Sequence, residues 1–395
     1  MSISTIKKNV NTTFTLNYEV RIIRGGLPYF SLLEKLILEA KDTIHIQYYI
    51  FDDDQTGSRI ISLLKNAAHR GVKIYIMADG YASQRISPSN LLSLKQAGVQ
   101  FRFFEPFLKS KYFYFGRRLH YKMIVVDTQR AVIGGLNISD RYNDLPNKPA
   151  WLDFALYVDG PLAQELCILC WKTWNGFPKN MGLTPCEKIQ LPKLPHNTTP
   201  IRARFLRNDW VRGKIEISSA YHRLIRTSQE EITLLSSYFL PGKSLRKLMV
   251  QAIERGTKIK IITAGHSDVW ITKSAERWLY DWILRNKIEL YEYQKNILHG
   301  KLGICDGKWF LLGSYNINDL SAYAGLELNL EIADIDLTRQ LQDILDPLIK
   351  NDCIQITSDV HVKSKNIFIQ FQRWLTFEFL RLVLFLFTFY LKQKI

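Results

Sequence analysis

LHYKMIVVD (119–127) and LHGKLGICD (298–306) are two versions of one segment. Each is followed by a second matched stretch, AVIGGLN (131–137) and WFLLGSYN (309–316). The offsets agree: 299 − 120 = 179 and 316 − 137 = 179. Upstream, HRGVKIYI (69–76) matches ERGTKIKI (254–261), each closing a helical stretch and opening a β-rich one. The chain therefore reads as a tandem duplication, two halves built on one plan.

Working outward, strand-like runs alternate with helical ones in both halves. TIHIQYYIF (43–51), VKIYIMA (72–78), VQFRFF (99–104), HYKMIVV (120–126) and DFALYV (153–158) read as strands of the first half, with helices near 29–41, 57–70, 88–97 and 160–174. EITLLSSYFL, KIKIITA, KIELYEY, HGKLGIC, WFLLGS and LNLEIA repeat the pattern in the second. This predicts an α/β fold of two tandem lobes, each a mixed β-sheet flanked by helices, with pseudo-twofold symmetry. LPKLPHNTTP (191–200) has three prolines and no apolar periodicity, and reads as a linker. The expected division is 1–190, linker 191–200, 201–352, and a tail over 353–395.

On a strand, residues two apart share a face. His120 and Lys122 project together, as do His299 and Lys301. An imidazole beside a fixed cation suits phosphoryl chemistry: one handles phosphorus or a proton, the other holds a phosphoryl oxygen. Asn137 and Asn316 follow small-residue turns, Gly134-Gly135 and Gly313-Ser314, where an amide could add a donor for the phosphate. Asp127 and Asp306 lie seven residues past each histidine. That odd spacing puts them on the other strand face, as turn-pinning groups. Asp153 and Glu331 occupy corresponding places (331 − 153 = 178) and are candidates to orient the histidines through the far ring nitrogen.

The doubled H-x-K-x4-D-x6-G-[GS]-x-N pattern resembles the phospholipase D superfamily and its paired HKD motifs. The resemblance covers essentially the whole chain. It implies a two-lobed fold with one active site at the lobe interface, His120, Lys122, Asp127, His299, Lys301 and Asp306 as the motif residues, and transfer through a phosphohistidine without metal or other cofactor. IHIQYYIFDDDQTG, RGVKIYIMADG, IGGLNISDRY with WLDF, and ELNLEI are similar to the bacterial cardiolipin synthases, in the shorter form without N-terminal transmembrane helices. YAGLELNLEI is spaced differently from the family pattern, which leaves Glu331 and Glu327 both open as the second acidic partner.

Lys and Arg number 53 against 37 Asp and Glu, a net charge of +16 that favours a polyanionic partner. The 47% hydrophobic content excludes a disordered or collagen-like chain. Five cysteines at irregular spacing argue against a disulfide framework, and Cys167-Ile-Leu-Cys170 reads as a buried apolar pair. No H-E-x-x-H, dense Asp/His set or Gly-rich phosphate loop is present, so no metal site is expected. His45, His69, His196, His222, His266 and His361 lack such company and read as packing or surface residues.

No signal peptide and no apolar run long enough to span a bilayer is read from the sequence. FRFFEPFLKSKYFYFGRR (101–118) holds eight aromatic and five basic residues, a mixture suited to anionic headgroups. A nucleic-acid surface is the rival for this run; it is not the partner expected. The tail 367–394 is apolar around most of a helix, with Gln370, Arg373, Arg381, Thr388 and Lys392 in one stripe, which suits the bilayer interface or a docked helix. These features predict a peripheral, monotopic membrane protein, and the resemblance to the bacterial cardiolipin synthases implies the cytoplasmic face of a bacterial inner membrane. The expected reaction is phosphatidyl transfer from phosphatidylglycerol to a second phospholipid alcohol, with His120 as nucleophile and His299 as acid, or the reverse. A phospholipase D-type hydrolase, phospholipase or nuclease, is the alternative; a non-catalytic membrane scaffold would be expected to have lost one motif.

Overall fold

A computed structural model describes residues 13–106, 117–178, 182–191, 199–318, 321–322, 325–359 and 367–392. The aromatic-basic run at 107–116 and most of the linker lie outside them.

The first sheet has seven strands, β2 (Glu19–Arg24), β3 (Thr43–Tyr48), β4 (Lys73–Asp79), β5 (Gln100–Phe104), β7 (Lys122–Val126), β8 (Arg130–Gly134) and β9 (Phe154–Asp159). Their order is β2-β9-β8-β7-β3-β4-β5. The second sheet contains the same order from later strands: β10 (Ile201–Asp209), β17 (Gly325–Ala333), β16 (Trp309–Gly313), β15 (Lys301–Cys305), β12 (Glu231–Ser236), β13 (Lys258–Ala264) and β14 (Glu289–Tyr293). In both, the second strand of the repeat in chain order, β3 or β12, runs antiparallel to its motif strand and parallel to the strand that follows it. The duplication read from short motifs is thus carried by the whole topology. Of the fourteen strands in this repeated order, three escaped the sequence reading: β2 and β10, whose alternation is crowded with arginine, and the five-residue β8.

The lobes are not closed units. β1 (Thr15–Asn17) leaves the first half and pairs antiparallel with β10 in the second sheet. β6 (Arg118–Leu119), immediately before His120, pairs parallel with the start of β17. One apolar core crosses the boundary, bringing Leu119, Tyr121 and Phe154 together with Leu235, Leu302 and Leu328. This shared core fixes the lobes so that residues from both can meet with defined geometry.

Helices cover the sheets as the alternation predicts. α1 (Leu27–Glu39), α2 (Gln55–His69), α3 (Pro88–Gln96) and α4 (Pro161–Trp174) serve the first sheet; α5 (Glu216–Thr227), α6 (Lys243–Glu254), α7 (Trp270–Trp278), α8 (Tyr280–Arg285) and α9 (Ile335–Asp352) serve the second. Asp54 and Ser87 accept from backbone amides at the starts of α2 and α3, satisfying donors that the first turn leaves unpaired.

The expectation about cysteines needs correction. Cys167 on α4 and Cys186 form a disulfide with a Cα–Cα distance of 6.1 Å. The short helical turn at Pro185–Lys188 folds back onto α4, an approach that spacing in sequence does not reveal. His45 lies against this pair, making the three a group of potential metal ligands within 4.8 Å, but the two sulfurs are bonded to each other.

The tail forms α10 (Ile367–Lys392), which packs along α7. Of the expected polar stripe, Arg373 is buried, Gln370 half-buried and Arg381 exposed, while the side chains of Thr388 and Lys392 lie outside the described residues; Thr376, also buried, donates its hydroxyl to Ser274 Oγ at 3.1 Å. Phe368, Phe371, Trp374, Leu375, Phe379 and Leu382 face outward, exposed. Among the described residues, no helix is long and apolar enough to cross a membrane.

Candidate active site

Both histidines sit just before their motif strands, at the lobe boundary. The His120 amide donates to Leu326 O at 3.0 Å, and the His299 amide to Leu152 O at 2.8 Å. Each is therefore hung on the backbone of the other lobe. The residue after each of those carbonyls is acidic. Glu327 Oε2 accepts from His120 Nδ1 at 2.8 Å, and Asp153 Oδ2 from His299 Nδ1 at 2.6 Å. A carboxylate can only accept, so Nδ1 carries the proton and Nε2 presents its lone pair.

The equivalence is thus Leu152-Asp153 with Leu326-Glu327, and Glu331 is not the partner. On β17 it shares a face with Glu327, but four residues along a strand is about 13 Å. There it stands opposite Arg204 and pairs with Arg204 and Arg223 at 2.8 and 2.5 Å. The connection from Asn316 to Glu327 is five residues shorter than that from Asn137 to Asp153, (153 − 137) − (327 − 316) = 5, which defeats a constant offset.

The small turns have a concrete purpose. A Cβ at Gly134 or Gly313 would run into the neighbouring strand backbone, and one at Gly135 into the Asp153 carboxylate. At the matching position, the Ser314 hydroxyl donates to Glu327. Either residue lets the acid approach; the serine adds a hydrogen bond.

Lys122 and Lys301 are fully buried beneath the histidines. Lys122 Nζ donates to His120 O at 2.8 Å, and Lys301 Nζ donates to His299 O and lies 2.9 Å from His299 Nδ1. Burial pushes Lys122 down to about 7 and Lys301 to about 8, against the pull of Glu327 and Asp153. Burial also lowers both histidines, helped by the neighbouring lysine in each case. Asp153 is pushed up by burial, but Lys301 and His299 outweigh this and hold it below the ordinary range. Burial and the lysines thus bias both imidazoles toward the neutral form, whereas acid–base transfer needs one of them protonated.

The two asparagines differ. Asn137 accepts from the Ile50 amide at 3.0 Å, and its NH2 donates to Tyr142 Oη at 2.9 Å. Tyr142 Oη in turn lies 3.4 Å from His299 Nε2. Asn137 thus acts on His299 through Tyr142, the last residue of IGGLNISDRY, to which the sequence reading gave no role. Asn316 Oδ1 accepts from Ser237 at 3.0 Å, leaving its NH2 as the half not used by that serine. Tyr49 lies edge-on to His120, with ring centroids 4.8 Å apart.

Asp127 and Asp306 do not join the site, although the motif counts them with the catalytic set. Asp127 accepts from the Lys41, Asp42 and Thr43 amides at the start of β3. Asp306 accepts from the Gln229, Glu230 and Glu231 amides and the Ser228 hydroxyl at the start of β12. Both have positive φ, 49° and 50°. They pin the far ends of the motif strands, as their odd spacing indicates.

His120, His299, Asn137, Asn316 and Glu327 open into one groove of about 490 Å³. Arg118, Arg141, Asp268 and Leu380 of α10 form parts of its wall. The other sequence histidine of interest, His45, is buried far back in β3 among Tyr75 and Trp171, as a packing residue.

A family model described as "Cardiolipin synthase, PLD-like domain" matches residues 33–148 and 221–349, one segment in each lobe. The chain is 30% identical over 343 residues to cardiolipin synthase B of Salmonella typhi, covering 86% of this chain and 82% of that one. It is 26% identical over 349 residues to the probable cardiolipin synthase YwiE of Bacillus subtilis (strain 168), covering 86% and 67%. Its fold matches the crystal structure of phosphatidylserine synthase from Haemophilus influenzae Rd KW20, with a TM-score of 0.69 at 14% identity over 93% of this chain and 97% of that one. With both motif histidines held reciprocally across the lobe boundary and the family model matching in each lobe, the chain belongs to the cardiolipin synthase, phospholipase D-like family.

Proposed function

We propose that this protein is a phosphatidyltransferase that makes cardiolipin, taking a phosphatidyl group from phosphatidylglycerol and passing it to a hydroxyl of a second phospholipid. The observation that carries the reading is the pair of crossed couples, His120 with Glu327 and His299 with Asp153, around one groove. A single site with two oriented imidazoles supplies one nucleophile and one acid–base group.

His120 is the nucleophile in this scheme, being the more open of the two, with 18% of its side chain exposed against 9% for His299. Its Nε2 attacks phosphorus. The bond from phosphorus to the glycerol oxygen breaks as His299 Nε2 donates a proton to that oxygen. A second lipid hydroxyl then gives its proton to His299 and attacks phosphorus, and the P–N bond breaks. His299 must hold a proton at the first step. The anionic phosphodiester supports this by offsetting the positive charge of Lys122 and Lys301, which otherwise disfavours imidazolium. The lysines and Asn316 stabilise charge on the phosphoryl oxygens.

The groove can house a headgroup and phosphodiester but not two long acyl chains. Those chains remain in the bilayer, and α10 fits this arrangement: Leu380 reaches the groove wall while the aromatic face of the same helix is exposed. The protein works as a peripheral enzyme with this face against an anionic membrane. Expression in a cardiolipin-free host followed by lipid extraction tests the function. New cardiolipin supports it; phosphatidic acid as the only new product would replace it with a hydrolase.

A further inference from the structure

Around the reacting centre the two halves of the molecule match closely, but their cations do not. The stretch after the first asparagine reads Asn137-Ile-Ser-Asp-Arg141; after the second it reads Asn316-Ile-Asn-Asp-Leu320. A single phosphodiester lying on the pseudo-twofold needs nothing at this position from one lobe alone. A second substrate that enters from one side does.

Arg141 lines the groove on the side of His299. Its guanidinium lies over the Trp151 ring, 5.4 Å from the centroid, and that ring is 6.0 Å from the ring of His299. Asp52 takes Nη2 at 3.0 Å and Ser139 takes Nε at 3.3 Å, which aims the planar head, while 39% of the side chain stays open. In an in-line displacement the entering hydroxyl approaches opposite the nucleophile, beside the acid–base histidine. The acceptor carries its own phosphate one glycerol length from that hydroxyl.

We infer that Arg141 binds the non-reacting phosphate of the acceptor lipid, so that the site prefers an anionic phospholipid hydroxyl over a neutral alcohol. An aimed guanidinium is well suited to a phosphodiester, which it can grip through two N–H groups. Arg118 lines the same groove on the His120 side, with Asp79 3.7 Å away and Glu105 O accepting from it, and its counterpart in the duplicate is Ile297. It serves as a control of equal charge in the wrong place.

This inference rests on the phosphatidyl-transfer reading. The experiment offers the full chain phosphatidylglycerol in mixed micelles with 1-butanol as competing acceptor, and measures cardiolipin against phosphatidylbutanol. Arg141→Gln should lower that ratio by about tenfold or more, the scale of a lost charge-assisted hydrogen bond, with phosphatidylbutanol formation retained. Arg141→Lys should recover part of it, and Arg118→Gln should leave it near wild type. An unchanged ratio in Arg141→Gln overturns the inference, as does a fall in Arg118→Gln alone, which would put the acceptor on the His120 side. A wild-type enzyme that yields neither product but only phosphatidic acid removes the transfer reading itself. Because a ratio is read within one sample, partial misfolding of a variant cannot imitate the result.

Discussion

Glu327 reaches His120 across the lobe boundary, at 2.8 Å, from a strand that also carries Glu331 on the same face. The two glutamates therefore separate catalysis from stability. Glu327→Gln leaves the shape but cannot hold the Nδ1 proton as an anion does. Turnover should fall by up to about 10,000-fold, the loss seen when a catalytic histidine loses its orienting carboxylate. Glu331→Gln should keep turnover per folded molecule and lower the melting temperature, since Arg204 and Arg223 lose a shared partner. Equal losses of activity in the two variants would contradict this division.

One groove holding both histidines predicts a single catalytic unit. His120→Ala and His299→Ala should each abolish measurable transfer, and the double variant should be no worse than either. Half of the wild-type rate in one single variant would mean two independent sites.

Asp127 and Asp306 should behave as structural residues despite their place in the motif. Replacing either with Ala strands three backbone amides, and Ala tolerates the positive φ poorly. A loss of about 1–3 kcal/mol in unfolding free energy is expected from the hydrogen bonds, with kcat and KM preserved below the melting transition. A selective fall in kcat at full stability would return these residues to the chemistry.

Burial holds His45 neutral, with its pKa lowered to about 3. The unfolded chain takes up a proton at this residue below ~6.5, while the folded one does not until far lower pH. The stability contribution is complete above the unfolded pKa and shrinks as pH falls. Between pH 7 and pH 5 the loss is about 2 kcal/mol. In His45→Phe, which keeps an aromatic ring between Tyr75 and Trp171, the drop in stability over that interval should be smaller by about this amount. Urea titrations at the two pH values would check it, and an identical drop in wild type and variant would rule the mechanism out.

Phe371 and Phe379 on α10 are 60% and 53% exposed. Changing both to Ser should leave the fold intact and weaken sedimentation with phosphatidylglycerol vesicles by at least about tenfold, given the apolar area each buries. Activity on a short-chain soluble substrate should survive. Undiminished vesicle binding would show that another face meets the membrane.

Much of the site was legible because it is local. His120 and Lys122, or His299 and Lys301, need only a strand and a spacing of two, and the repeat supplies an internal control. The choice between Glu327 and Glu331 was not, because the register depends on a loop shortened by five residues; the pairing of Leu152 and Leu326 carbonyls with the histidine amides fixes it. Tyr142 closes the stretch IGGLNISDRY, but nothing in that stretch assigns it a role, which comes from three-dimensional proximity to Asn137 and His299. The Cys167–Cys186 bridge and the transfer of β1 to the second sheet are long-range events with no periodicity to announce them.

That transferred strand sets a problem of timing on the ribosome. Asn17 is made early, but its pairing partner Ile201 is made 184 residues later. At ~5–20 residues per second, the strand waits roughly 10–40 s with its edge unmatched. The parallel seam at Arg118–Leu119 waits longer still, until Gly325–Leu326 emerge. Synthesis runs from one lobe to the next, but completion of the first lobe's surroundings comes only after the second has appeared. The nascent first half is therefore the stage at which this protein would most need a chaperone's shelter.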